Sequence, residues 1–98
     1  MGMYVDIFKA VQEDDNFVYY YYQFSRLDHT CEIKTASGKK RSQLIEVRGK
    51  LKIDKRNGDV YTIELAEGDN GAYAKCAAWA LIRHWKKGEY PDTTYWAS

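Results

Sequence analysis

The 98-residue chain has only one proline, Pro91, only seven glycines and only two cysteines, Cys31 and Cys76. That scarcity, beside 45% hydrophobic residues, excludes a disordered or low-complexity chain, because such chains are poor in the aromatic and β-branched residues plentiful here. Cys31 and Cys76 have no close spacing, and read as small buried hydrophobes of a reducing compartment rather than as a disulfide. An excess of one charge sign is also missing: 15 basic and 14 acidic residues leave a formal net charge of +1, which removes the positive field of a dedicated duplex nucleic-acid binder. No apolar run approaches the roughly 20 residues that span a bilayer. The opening "MGMYVDIFKA" carries Asp6 and no basic start, so it does not read as a signal peptide, and Gly2 lacks the downstream Ser or Thr of a myristoylation signal. The expected location is the cytoplasm, with no membrane contact.

The chemistry of a catalytic centre is sparse as well. His29 stands two residues before Cys31 in "DHTC", an incidental placement rather than a nucleophile pair. His84 follows Cys76 by eight residues, about 12 Å along a helix axis and too far to share one metal. Glu13, Asp14 and Asp15 lack the ligand spacing of a calcium loop and read as a solvated turn. "SGKK" has no glycine partner five residues before Gly38, so it is not a phosphate loop. No enzyme activity, cofactor or metal is expected.

What the chain does have is "NFVYYYYQF", residues 16–24, with β-formers at nearly every position. The predicted fold is a single α+β domain over residues 1–98: a twisted antiparallel sheet of four or five strands in meander order, one C-terminal helix across one face, and an aromatic tail. Strands are expected at about 3–11, 16–25, 30–34, 44–55 and 59–65, the helix at about 71–87, and the tail at 88–98. From Ile45 to Asp54 apolar and polar residues alternate. A three-residue loop, Arg56-Asn57-Gly58, then pairs Ile53 with Tyr61 and buries Tyr61, Ile63 and Leu65 on the same side. Asp69 or Asn70 can cap the helix. At 100° per residue Ala74, Ala77, Ala78, Leu81, Ile82 and Trp85 share its apolar face. A helix lined by alanine sits close to a sheet that supplies large side chains, so Val18, Tyr20, Tyr22 and Phe24 are expected inward and Phe17, Tyr19 and Tyr21 outward. The tail, with Tyr90, Tyr95 and Trp96, is expected to dock on the outer sheet face or beside the helix.

Two binding readings follow. Trp79 falls in an outward basic stripe of the helix with Lys75, Arg83 and Lys86. An indole there is either covered by Tyr95 or Trp96 or is a contact point for another protein, since tryptophan, tyrosine and arginine dominate interfaces. With Phe17, Tyr19 and Tyr21, these residues are the candidate partner-binding set. The leading expectation is a non-enzymatic protein-binding domain whose partner is a protein of unknown identity, with homodimer formation through this face or a sheet edge as a related arrangement. The alternative is single-stranded RNA on the outer sheet face, held by Lys39, Lys40, Arg41, Arg48, Lys50 and Lys52 beside stacking rings. In size and style alone, a compact aromatic-rich chain without a catalytic set is similar to small bacterial accessory proteins, toxin-neutralising immunity proteins among them. That likeness carries over no residue.

Overall fold

The tyrosine run sits at the centre of the sheet. The computed structural model describes residues 3–34 and 40–97, with the side chains of residues 12–13, 27–34 and 40–43 not described. The chain forms β1 (Tyr4–Glu13), β2 (Phe17–Lys34), β3 (Lys40–Asp54), β4 (Val60–Glu64), α1 (Ala72–Lys86) and β5 (Thr93–Ala97). The five strands make one antiparallel sheet in the order β4-β3-β2-β1-β5, with α1 packed on one face. β1 to β4 form a meander, and the chain returns through α1 to add β5 beside β1.

Alternation along β2 decides which rings form the core. Val18, Tyr20, Tyr22 and Phe24 are buried on the helix side, with Val5 and Ile7 of β1 and Val47, Leu51 and Ile53 of β3. The helix meets them with Ala74, Ala77, Ala80 and Leu81, while Ala78 and Ile82 of the expected face are half-buried and Cys76 is buried instead. Short alanine side chains let the helix approach, and rings fill the space to interior density. Tyr73 stacks on Phe24 with ring centres 3.7 Å apart and planes 3° from parallel.

Gly49 lies directly across from Tyr22, and its missing side chain is the space the phenol ring occupies: a Cβ there would stand 2.2 Å from Tyr22 Cε1. Tyr22 is held at its far end, where its hydroxyl donates to Asp69 Oδ2 at 2.7 Å and accepts from the Ala66 N–H at 2.9 Å. Asp69 also accepts from the N–H groups of Gly71, Tyr73 and Ala74, the free donors of the helix start. Asn70 Oδ1 accepts from Ala72 N–H at 3.2 Å.

Several expectations need correction. Residues 30–34 are not a separate strand, since β2 runs unbroken to Lys34. The polar cluster near Asp28 makes a bulge instead of a turn: Asp28 pairs with Gln43 and Glu32 with Ser42, so residues 29–31 have no counterpart in β3. β3 begins at Lys40 rather than near 44. Residues 90–97 are not a loose tail: the β-branched and aromatic residues Thr93–Ala97 take the free edge of β1, Trp96 opposite Val5 and Thr94 opposite Ile7. This sets them beside the helix, the second of the two expected positions, with Thr94 bonded to His84 and Trp96 against Trp79. Tyr20 O–H donates to Pro91 C=O at 3.0 Å and Lys9 N–H to Asp92 C=O at 2.8 Å, which holds the approach to β5.

The β3–β4 turn is one residue longer than expected. Ile53 pairs with Val60, not Tyr61, around residues 55–58, and Gly58 takes φ 78° while its N–H donates to Asp54 C=O. A shift of one residue turns a whole strand over. Tyr61 therefore lies opposite Lys52 on the side away from the helix, a second irregularity between Lys50 and Leu51 leaves Ile63 without a counterpart, and Tyr61, Ile63 and Leu65 are 46–48% exposed rather than buried. The longer turn is held by Asp54, whose carboxylate accepts from Arg56 N–H, Nε and NH2, and from beneath by Trp85 Nε1, which donates to Lys55 C=O at 3.0 Å.

The bonds from the Arg56 side chain, then that from its backbone N–H, hold the Asp54 carboxyl below the usual carboxylate range. A carboxyl depressed in the folded state contributes stability above its unfolded pKa of about 3.9 and loses it as pH falls through the lower folded value. Unfolding measured against pH is thus expected to steepen below about pH 4. In Asp54→Asn that share of the acid loss should disappear. An unchanged acid profile would show that the turn makes no such contribution.

Candidate functional site

The odd residues of β2 answer why rings occur on both sides of one strand. Facing away from α1, Phe17, Tyr19 and Tyr21 stand half-buried beside Arg48, Lys50 and Lys52 of β3, because the register sets Tyr19 opposite Lys52 and Tyr21 opposite Lys50. Each cation bridges two rings. Arg48 Cζ lies 4.6 Å from the Phe8 ring centre and 5.4 Å from that of Tyr21. Lys50 Nζ lies 5.3 Å from Tyr19 and 5.6 Å from Tyr21. Lys52 Nζ lies 4.4 Å from Phe17 and 5.7 Å from Tyr61. The result is a diagonal ladder of rings and cations across β1, β2, β3 and β4. Such contacts contribute about 0.5–1 kcal/mol each at an exposed site.

The acidic turn before β2 fixes one end of this ladder. Asp14 Oδ1 accepts from the N–H groups of Asn16 and Phe17, and Oδ2 from the Tyr19 hydroxyl at 3.2 Å. The two backbone bonds, that to Asn16 first, hold the Asp14 carboxyl below its ordinary range. Burial, with Asp14 adding, pushes the Tyr19 hydroxyl up, so it remains a neutral donor. At the other end Arg48 donates through Nε and NH2 to Gln23 Oε1, which keeps the guanidinium over its rings.

The predicted partner-binding residues are divided by the sheet. Phe17, Tyr19 and Tyr21 belong to the open face, whereas Lys75, Trp79, Arg83 and Lys86 are on α1, which packs against the other face. Trp79 is 45% exposed: Trp96 covers part of it at 5.6 Å between ring centres, and Lys75 Nζ lies 5.2 Å from its ring. Of the predicted RNA-binding residues, Arg48, Lys50 and Lys52 join the open face. Lys40 and Arg41 belong to the distal β2–β3 ladder, opposite Lys34 and Ile33, and their side chains lie outside the described residues, as does the whole of Lys39. The structure thus combines the rings of one predicted set with the cations of the other. Sequence reading missed Phe8 and Tyr61. Phe8 was legible from alternation in β1, where Val5 and Ile7 face inward; Tyr61 required the hairpin register.

Among the described residues no three His, Cys, Asp or Glu side chains come together as a metal-ligand set. Cys76 is a buried free thiol, and burial, reinforced by Asp69, pushes its pKa up, away from the thiolate a nucleophile needs. The side chain of Cys31 lies outside the described residues. Among the described residues, no helix is long and apolar enough to cross a membrane. Compared with protein families, with curated proteins and with solved structures, the chain matches none.

Proposed function

We propose that the protein is a non-enzymatic cytoplasmic binding domain, of the inhibitor or immunity kind, whose contact surface for another protein is the open face of the sheet. The observation that carries this reading is the ladder: four rings, Phe8, Phe17, Tyr19 and Tyr21, stand half-buried among three cations on a rigid sheet. Rings with two rotatable bonds and cations already held over them lose little freedom on binding, which favours them as interface anchors. A protein partner offering carboxylates can pair with Lys50 and Lys52 while those side chains stay over the rings. Stacking of an RNA base needs a bare ring face, and Arg48, Lys50 and Lys52 occupy ring faces here.

The test is crosslinking in the native cell through a photoreactive group placed at Lys50, with and without nuclease. A crosslinked protein that survives nuclease and is purified as a complex supports the proposal. Tyr19→Ala or Tyr21→Ala should then weaken that complex roughly tenfold or more, while Trp79→Ala leaves it nearly unchanged. Crosslinks lost to nuclease, together with affinity falling steeply with salt, would assign the face to single-stranded RNA instead.

A further inference from the structure

A second surface lies on the helix side of the sheet. β5 is an edge strand, hydrogen-bonded to β1 on one side and with no described strand on the other. Natural edges are commonly blunted by lysine, proline or a bulge, yet Thr93–Ala97 contains no charge and no proline and pairs with β1 without a bulge. Beside it runs a groove of about 380 Å³ between β5 and the C-terminal half of α1. Its walls include Arg83, His84 and Lys87 of the helix segment and Thr94, Tyr95 and Trp96 of the strand.

The polar groups of this groove fall into two kinds. His84 is already engaged, Nδ1 with Glu89 Oε2 at 3.1 Å and Nε2 with Thr94 Oγ1 at 2.9 Å, which ties the helix to the edge strand and keeps the groove walls in place. Arg83 and Lys87 are exposed, and among the described residues neither side chain makes a hydrogen bond or an ion pair. The Trp96 indole N–H is buried without an acceptor. An uncharged strand edge bordered by two unpaired cations is complementary to one kind of occupant.

We infer that the β5–α1 groove binds an extended acidic peptide segment of another protein, which adds to the sheet as a sixth strand beside β5. Main-chain hydrogen bonds to the open edge provide the affinity, and every second side chain of the added strand turns toward the helix, where carboxylates meet Arg83 and Lys87. This surface is independent of the open face, since α1 and the ring ladder lie on opposite sides of the sheet.

A blocked octapeptide of alternating threonine and glutamate is the probe, with a threonine–lysine octapeptide as control and amide hydrogen exchange as the readout. At roughly 1 mM peptide the acidic probe should protect amides of β5, and the basic one should not. Arg83→Glu with Lys87→Glu, both exposed positions, should weaken binding roughly tenfold. N-methylation of alternate peptide amides should abolish it, because the ladder bonds are then lost while the charges remain. Three results overturn the inference: no protection of β5, binding that survives N-methylation, or sedimentation showing that a second copy occupies the β5 edge and excludes the peptide.

Discussion

Gly49→Ala is expected to lower the unfolding free energy by about 3 kcal/mol, and the melting temperature by roughly 15 °C, although it adds one methyl group. A Cβ at this position would stand 2.2, 2.4 and 2.5 Å from Tyr22 Cε1, Cζ and Oη, well inside contact distance. In many cores the intruded side chain would turn away. Here it cannot, because Tyr22 is fixed by the strand at one end and by Asp69 and Ala66 at the other. Overpacking costs about 1–3 kcal/mol, and a rigid site whose neighbours have no alternative rotamer falls at the top of that range. Thermal or urea unfolding followed by circular dichroism measures it. Tyr22→Leu in the Gly49→Ala background should make the double change cost less than the sum of the two single ones, by about 1 kcal/mol or more. A Gly49→Ala protein as stable as the parent would show that the ring is not held.

Asp69→Ala should be nearly as damaging, at about 3 kcal/mol. One carboxylate serves three backbone donors at the start of α1 and the hydroxyl of Tyr22, with bonds of 2.9, 3.2, 3.1 and 2.7 Å. Its loss strips a cap from a helix whose N-cap residue, Gly71, has no side chain to replace it, and leaves the hydroxyl of a buried tyrosine without its acceptor. Burial, with Asp69 adding, raises the Tyr22 pKa above the ordinary tyrosine range, so the hydroxyl is a firm donor at neutral pH. Asp69→Asn keeps one oxygen for the helix start and should cost about half as much. Equal losses for Ala and Asn, or no loss for Ala, would refute the shared-cap account. Tyr22→Phe combined with Asp69→Ala should be non-additive, since both remove the same bond.

These two residues also mark how far the chain can be read in one dimension. Asp69 was legible as a helix cap from its place before an apolar-periodic segment, but its bond to Tyr22 was not, because 47 residues separate the two. Gly49 looked like one more inward position of an alternating strand. Its role depends on which residue of β2 lies opposite, and only the register supplies that. The open face shows the same split. Alternation placed Tyr19, Tyr21, Lys50 and Lys52 outward, whereas their pairing into a ladder required knowing that β2 and β3 are neighbours, with Phe8 and Tyr61 flanking them.

Local patterns that repeat with the backbone period were thus fixed by the amino-acid order alone: an α+β chain, an inward row Val18, Tyr20, Tyr22 and Phe24, and a helix lined by alanine. Strand partners, turn length and edges were decided only in three dimensions. Side-chain alternation is a property of one strand, but pairing compares free energies between distant segments, and a single extra turn residue at Lys55–Gly58 sets Val60 instead of Tyr61 opposite Ile53 and moves Tyr61 to the open side opposite Lys52. For the same reason the tail became β5: its β-forming residues were visible, while the vacant edge of β1 that received them was not.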